Sequence, residues 1–192
     1  MKAFLIIGNL NAVTYKEVFP LIKDGKVGLG VNGVKTFIMP SGDARKFGNI
    51  VWFTTLSHDH INPPLTLTAT YTPEAYPRYD NYDAIEAGRT KDIPCDYDGV
   101  MGVPISFLDK WCPEQFEVVG VTHTWFGAAS KTYGKQVQVN KDGSTQIVTK
   151  LNDGPSILLP TVPPDKVYYA VDGNAYKELY NRILIRRRKS FA

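Results

Sequence analysis

The sequence predicts an α/β fold, and the observations that predict it lie near the amino terminus. Residues 3–7 form a continuous apolar run, which is typical of a strand buried on both faces of a parallel sheet. Thr14 and Glu17 have the spacing of a capping box, in which the two side chains satisfy free amides at the start of a helix. A second strand near residues 27–31 would complete a strand–helix–strand unit.

The predicted helix is amphipathic and short. Tyr15, Phe19 and Ile22 would share its apolar face, and Gly25 is a natural stop signal. Pro20 falls inside this span and should kink or shorten the helix, because proline has no amide hydrogen to donate.

The remainder of the chain predicts mainly strands and loops. Five segments have the alternation or the β-branched content of strands: residues 50–55, 65–71, 116–124, 136–139 and 145–151. The last two flank Asp142-Gly143, a hairpin signal. Two further segments are predicted loops: residues 71–97, rich in Pro, Tyr, Asp and Asn, and the proline-rich residues 155–164.

The final segment fits two structures. Tyr176, Leu179, Tyr180 and Ile183 could form the apolar stripe of a helix, whereas residues 180–186 could form a strand. The chain has no internal repeat and no low-complexity tract, so we expect a single domain over residues 1–192.

The composition is that of a folded protein and does not indicate a particular ligand. A hydrophobic fraction of 43% and a charged fraction of 21% exclude a disordered chain, and a net charge of +3 alone does not indicate nucleic-acid binding. The charge is uneven, however: residues 74–117 hold ten acids and four bases, which gives a net charge of −6, and four basic residues follow one another near the carboxyl end.

The cysteines and the amino terminus bear on location. Cys95 and Cys112 have no metal-ligand spacing, and two cysteines without a secretory signal predict a reduced, cytoplasmic protein. The apolar run at residues 3–7 is too short to cross a membrane, so no membrane partner is expected. Because the sequence opens directly in a strand of the buried type, we expect a further segment to precede it.

One long block of the sequence is distinctive. It comprises residues 76–86 (YPRYDNYDAIE), 90–94 (TKDIP), 96–105 (DYDGVMGVPI), 107–110 (FLDK) and 113–117 (PEQFE). The block resembles the later region of EcoRI-type adenine-specific DNA methyltransferases. Other segments are similar to the same family, in order: residues 4–11, 14–23, 47–54 and 182–186.

The resemblance implies a fold and an activity. Family members transfer a methyl group from S-adenosylmethionine to N6 of adenine within a short site in double-stranded DNA, as part of restriction-modification. The implied fold is a partial Rossmann-like methyltransferase sheet with β-rich target-recognition insertions. Residues 1–56 would complete the sheet, residues 57–170 would be the insertions, and residues 171–192 would be a final strand and basic tail.

Two signatures of such enzymes are not found in this sequence. Gly28-Leu29-Gly30 is only part of a glycine-rich cofactor turn and falls at a strand position. The Asn/Asp-Pro-Pro-aromatic tetrapeptide, which grips the flipped adenine, would lie just upstream of residues 3–7. We therefore expect a methyltransferase portion that is inactive alone and binds no S-adenosylmethionine alone, with no catalytic or cofactor-binding residue of its own. The alternative is a non-catalytic DNA-binding or interaction module that pairs with a separately encoded cofactor domain.

Three other motifs give weaker signals. Asn62-Pro63-Pro64-Leu65 resembles the missing tetrapeptide, but leucine has no ring to stack on a base. His58 and His60 could share a metal, although His123 is the only other histidine and a third or fourth ligand is needed. Cys112 has no histidine at a suggestive spacing, so a nucleophilic role has little support.

The candidate nucleic-acid-binding residues form two groups. One group is Tyr79, Asp80, Asn81 and Tyr82, which could read or stack on bases, or could equally belong to a packed loop. The other group is Arg186, Arg187, Arg188 and Lys189, which could neutralise phosphates or form a solvated tail. Three lysines near the predicted hairpin present the same two alternatives: Lys131, Lys135 and Lys141.

Overall fold

A computed structural model describes residues 3–30, 36–56 and 62–189, and the described chain is rich in short strands. It divides into two compact units, one formed by Met1–Leu65 with Ile105–Pro113 and the other by Thr66–Pro104 with Glu114–Ala192. The described strands are β1 (Leu5–Asn9), β2 (Gly28–Leu29), β3 (Thr36–Ile38), β4 (Ala44–Lys46), β5 (Ile50–Thr54), β6 (Ile85–Glu86), β7 (Met101–Pro104), β8 (Phe116–Val121), β9 (Gln136–Val139), β10 (Thr145–Val148), β11 (Ser156–Leu158), β12 (Tyr168–Val171), β13 (Asn174–Glu178) and β14 (Arg182–Arg187).

Helices are few and short in the described parts of the chain. The α-helix is α1 (Phe19–Lys23), and the 3₁₀ helices are Leu10–Thr14, Thr90–Asp92, Ile105–Lys110, Thr124–Phe126 and Lys150–Asn152. Within residues 3–30, 36–56 and 62–189, none of these helices has the length and hydropathy needed to cross a membrane.

The first unit is built on a three-stranded sheet in the order β1-β5-β2. β5 is antiparallel to both neighbours, so β1 and β2 run in the same direction on either side of it. The strands predicted at both positions are confirmed. The predicted burial of the first one is wrong for the described residues: β1 is an edge strand, and Leu5 and Ile6 are 52% and 55% exposed. β3 and β4 form a separate hairpin.

The connection from β1 to β2 differs from the predicted helix. Asn9 caps a 3₁₀ helix by accepting a 2.9 Å hydrogen bond from the amide of Asn11. Thr14 ends this 3₁₀ helix, and the N-cap of α1 is Val18, so Thr14 and Glu17 do not cap α1 as predicted. α1 then starts at Phe19, because Pro20 is tolerated only in a first turn. The helix ends before Gly25, whose φ of +68° fits the predicted stop.

The second unit holds two larger sheets. One sheet has five antiparallel strands in the order β10-β9-β12-β13-β11, and the predicted hairpin at Asp142-Gly143 connects β9 and β10. The other has the order β6-β7-β14-β8. β14 lies between β7 and β8 with Ile183 and Ile185 fully buried, so the strand interpretation of the last segment is confirmed and the helical one is wrong.

The predicted strand at residues 65–71 is also wrong. The described backbone there forms a single isolated bridge, between Ala69 and Pro94, and no ladder. The Tyr71 amide donates instead to the Asp96 carboxylate at 2.7 Å, and a side-chain acceptor cannot continue a sheet. The alternation of apolar residues in this segment reflects an extended loop that packs on one side.

We expect Gly143→Ala to lower the free energy of unfolding by about 1 kcal/mol, because an L side chain is strained at a positive φ. Gly143 has a φ of +81° and open space around the position of a Cβ atom, so backbone strain is the only cost. Urea denaturation followed by circular dichroism measures the change. Gly134→Ala is the matched control, since its Cβ also meets nothing and its φ is not positive. Equal stability of the two variants would contradict the prediction.

Candidate nucleic-acid interface

Asn81 lies in the interior of the second unit and uses both ends of its amide. The side chain is 1% exposed. Its nitrogen donates to the carbonyls of Leu151 and Gly154 at 3.2 and 2.9 Å. Its oxygen accepts from the amide and the hydroxyl of Ser156 at 2.9 and 3.1 Å. The side chain therefore satisfies a turn of backbone that would otherwise be buried without partners.

Asp80 is held by the same part of the fold. Its carboxylate accepts a 2.6 Å hydrogen bond from the Tyr133 hydroxyl and pairs with the ammonium group of Lys131. That ammonium group also lies 5.0 Å from the centre of the Tyr133 ring. Burial, and then the hydrogen bond to Asp80, raise the pKa of Tyr133 above its usual range. Lys131 is thus committed to Asp80, which weakens its candidacy as a phosphate contact.

Tyr79 contacts the partly buried ion pair between Glu86 and Arg182. Arg182 donates to both oxygens of the Glu86 carboxylate, at 2.8 to 3.1 Å, and the Tyr79 hydroxyl donates to the same group. Burial acts to lower the pKa of Arg182, but the hydrogen bonds and charge of Glu86 outweigh it and raise that pKa. Burial and the Glu86 charge both raise the pKa of Tyr79. The pair fastens residues 79–86 to β14.

Three of the four candidates for base reading have buried side chains. Tyr82 is 2% exposed and packs edge-on against Tyr79, and burial raises its pKa to about 12. Tyr79 and Asn81 are buried as well, and their polar atoms are bonded to protein. Contact with a base would require these side chains to leave the interior. Their burial favours the packed-loop alternative for Tyr79, Asn81 and Tyr82, and a role in base reading stays a prediction.

The basic end of the chain is not one uniform cluster. Arg187 is partly buried, where it donates to Asp98 at 3.0 Å and to the Cys95 carbonyl. The backbone amide of Arg188 donates to the Gln115 carbonyl at 2.9 Å. The side chains of Arg186, Arg188 and Lys189 are exposed, as are those of Lys135 and Lys141. Arg187 is thus a structural residue, and the exposed members keep their candidacy for DNA.

The weaker motifs find structural roles or lie outside the described residues. The nitrogen of the Asn62 side chain donates to the Trp111 carbonyl at 3.1 Å, a contact that ties this motif to neighbouring backbone. His58 and His60 lie outside the described residues. Within the described ranges, no cluster of three His, Cys, Asp or Glu side chains is arranged to hold a metal ion. Cys112 is buried, and both cysteines are free thiols.

Sequence reasoning missed the Glu86–Arg182 pair. The two residues are 96 positions apart, so no local spacing could connect them. Both nevertheless lie in segments that resemble the same family, Glu86 at the end of residues 76–86 and Arg182 at the start of residues 182–186. Opposite charges in two such apolar neighbourhoods are a usable signal for a buried pair.

A family model described as adenine-specific methyltransferase EcoRI matches the chain over residues 1–44 and 34–188. The two matched ranges overlap and together span nearly all 192 residues.

Curated relatives agree with that match. The chain is 47% identical over 138 residues to the type II methyltransferase M.EcoRI of Escherichia coli, covering 62% of the chain and 42% of that protein. It is 35% identical over 139 residues to the type II methyltransferase M.MgeORF184P of Mycoplasma genitalium and 32% identical over 139 residues to M.MpnI of Mycoplasma pneumoniae. Each of these matches covers 62% of the chain and 44% of the relative, so the chain spans less than half the length of the relatives it matches. Comparison with solved structures gives no significant match.

We expect Asn81→Asp to lower the free energy of unfolding by about 3 kcal/mol or more at pH 7, because an unpaired buried charge would face two carbonyl oxygens. Burial raises the pKa of a carboxyl group. The loss is therefore smallest below the unfolded-state pKa of about 4 and grows as the pH rises above it.

Urea denaturation at pH 4 and pH 7 measures the difference between the variant and the parent chain. The control is Asn174→Asp, whose side chain is exposed on β13 and should change stability by no more than about 0.5 kcal/mol at either pH. A loss at Asn81 that is the same at both pH values would argue against a buried carboxylate as the cause.

Proposed function

The chain belongs to the EcoRI family of adenine-specific methyltransferases, and we propose that it is the portion of such an enzyme that completes the sheet and recognises DNA. The observation that carries the proposal is the ordered family match over residues 1–44 and 34–188. The implied reaction of the whole enzyme is methyl transfer from S-adenosylmethionine to N6 of adenine in double-stranded DNA. In this proposal the chain supplies no catalytic step alone.

The pairing in the first unit supports a place at the end of a Rossmann-like sheet. β1 and β2 are parallel to each other and joined through α1, which is the connection typical of a parallel sheet. β5 enters between them in the opposite direction. In this proposal the unpaired edge of β1 continues into the parallel strands that carry the cofactor, and residues 1–56 complete the sheet.

The cavity in the first unit does not fit the methyl donor. It has a volume of about 260 Å³ and is lined entirely by apolar side chains and glycine, among them Phe4, Ile6 and Phe53. S-adenosylmethionine carries a sulfonium, an ammonium group and two ribose hydroxyls, which need carboxylates or other acceptors. We derive no step through the donor here, and we assign its pocket to residues of the whole enzyme outside this chain.

We also assign the Asn/Asp-Pro-Pro-aromatic tetrapeptide, which binds the adenine amine, to residues of the whole enzyme outside this chain. Within the 192 residues, the Asn-Pro-Pro sequence at Asn62 ends in leucine, which has no ring to stack on a base. Chemistry on an adenine requires the base to leave the helix and to be held by hydrogen bonds and stacking. The proposal therefore expects an inactive chain until a cofactor-binding part is supplied.

The second unit is the proposed recognition part, within residues 57–170 and the final strand. Its exposed cations, which include Lys135, Lys141 and Lys189, could contact the phosphates of the DNA backbone. Its acidic residues within 74–104 and 114–117 would be repelled by phosphates and are better suited to base edges. Together these features support contact with both the backbone and the bases of duplex DNA.

We expect the 192-residue chain to bind mixed-sequence duplex DNA without methylating it. The chain is incubated with the duplex and tritiated S-adenosylmethionine, and N6-methyladenine is measured after digestion, with M.EcoRI as the positive control. Binding is followed in parallel by fluorescence anisotropy between 50 and 200 mM salt, and its affinity should fall as salt rises. Label in adenine would refute the assignment of the donor pocket to an outside part, and salt-independent or undetectable binding would refute the recognition role.

One observation favours a second candidate, an interaction module that pairs with a separate cofactor-binding chain. β1 leaves one edge unpaired in the described structure and exposes Leu5 and Ile6 beside the apolar cavity. An open apolar edge is a template for another strand, and proteins usually cover it. In this version the occupant is a parallel strand of a separately encoded cofactor domain.

Without that occupant, we expect the chain to self-associate through β1 and Ile6→Lys to reduce the association at least several-fold. A lysine on an exposed edge blocks strand addition but costs little stability. Sedimentation velocity over a concentration series measures the association. Tyr15→Lys is the matched control, because Tyr15 is 52% exposed in the same unit but lies outside the strand. Equal association of Ile6→Lys and the parent chain would rule out the edge.

A further inference from the structure

The second unit contains a polar cleft in addition to its two sheets. Its volume is about 390 Å³, and it lies between Arg78 and Asp83 on one side, the turn at residues 97–100 on another, and Arg186 of β14. The surrounding surface is mostly polar, in contrast to the apolar cavity of the first unit. Polar groups that converge in a concave site are the usual mark of a ligand site.

Arg186 stands out because the other arginines around the cleft are already paired. Arg78 forms an ion pair with Asp83, and Arg187 forms one with Asp98 at 3.0 Å. Among the described residues, the Arg186 guanidinium has no ion-pair partner, although Glu117 lies opposite it in the strand register on β8. A guanidinium with five free donors is therefore presented to the cleft.

A tyrosine ring contributes to the cleft wall, and a glycine makes room for it. A Cβ atom at Gly99 would lie 2.6 Å from Cζ of Tyr97, so only glycine allows this ring to lie against the backbone. The Tyr97 ring also packs on Tyr71, with 4.6 Å between the ring centres. The Tyr97 ring, which forms a flat wall of the cleft, is thus held between the backbone of Gly99 and the ring of Tyr71.

The charges of the cleft disfavour a phosphate and favour a base. The side chains of Asp83 and Asp98 are 89% and 70% exposed and would face any phosphate that approached Arg186. Residues 74–104 of the same unit hold seven acids and three bases, which gives a net charge of −4. The edge of a G·C pair offers acceptors to an arginine, guanine O6 and N7, and a donor to a carboxylate, the cytosine N4 amine. Guanine matches a free arginine best, because its O6 and N7 accept two hydrogen bonds from one guanidinium.

We propose that this cleft receives the edge of a guanine in the DNA site and that Arg186 donates to its O6 and N7. The inference rests on the proposed function, which it deepens by naming a specificity-determining residue and the base that it reads. Asp83 and Asp98 orient the neighbouring arginines and turn phosphates away from the cleft. The exposed lysines, not Arg186, then provide the sequence-independent attraction.

The test selects duplexes from a library of random sequences with four proteins: the parent chain, Arg186→Ala, Arg186→Lys and Lys189→Ala. The lysine variant keeps the charge and loses the two-pronged geometry, which separates a guanine contact from a phosphate contact. We expect the parent chain to enrich a motif containing guanine. Both Arg186 variants should lose preference for that guanine by about tenfold or more, whereas Lys189→Ala should keep the motif and bind all sequences more weakly.

Two results would overturn the inference in distinguishable ways. If Arg186→Lys keeps the guanine preference of the parent chain, Arg186 is a phosphate contact, and the proposed DNA-recognition role stands without the guanine assignment. If the parent chain binds no DNA, the inference and the recognition role fail together. Circular dichroism of each variant excludes loss of folding as the cause, since Arg186 is an exposed side chain with no partner in the described structure.

Discussion

The second unit depends on hydrogen bonds made by polar side chains that are buried in its interior. Asn81 satisfies the turn at residues 151–156 with both ends of its amide, and the Glu86–Arg182 pair ties the same loop to the central strand β14. A long loop cannot be buried by apolar contacts alone, because its backbone groups would lose water without gaining partners. The loop at residues 71–97 can be buried because these few side chains make the hydrogen bonds that water would otherwise make.

The burial of these side chains also limits which parts of the loop could take part in the proposed recognition of DNA. In the loop with the most distinctive sequence, the side chains of Tyr79, Asn81 and Tyr82 are buried and stabilise the fold of the loop itself. What it presents to solvent is its outer rim, where Arg78 and Asp83 border the cleft that contains Arg186. The buried residues of this distinctive block therefore support the proposed interface, and its exposed members Arg78 and Asp83 form part of the surface.

The sequence predicted local features well and distant partners poorly. The hairpin at Asp142-Gly143 and the stop at Gly25 were predicted because each depends on a few adjacent residues. The local pattern of the final segment fitted both a helix and a strand, and the resemblance implied the strand that forms. The capping box failed because Pro20 delayed the helix, a competition between two local signals. The Glu86–Arg182 pair could not be predicted, because it joins positions 96 residues apart. The resemblance indicated the family but could not tell a supporting side chain from an exposed one.

The strand order of the first unit constrains how the chain acquires its structure. β5 lies in the middle of the three-stranded sheet, yet it is the last of the three to be synthesised. Within this three-stranded sheet, β1 and β2 can form their ladders with β5 only after residue 54 has been synthesised. Contacts of such long range fold slowly and leave time for aggregation. Production of this protein should therefore be sensitive to translation speed and to chaperone supply.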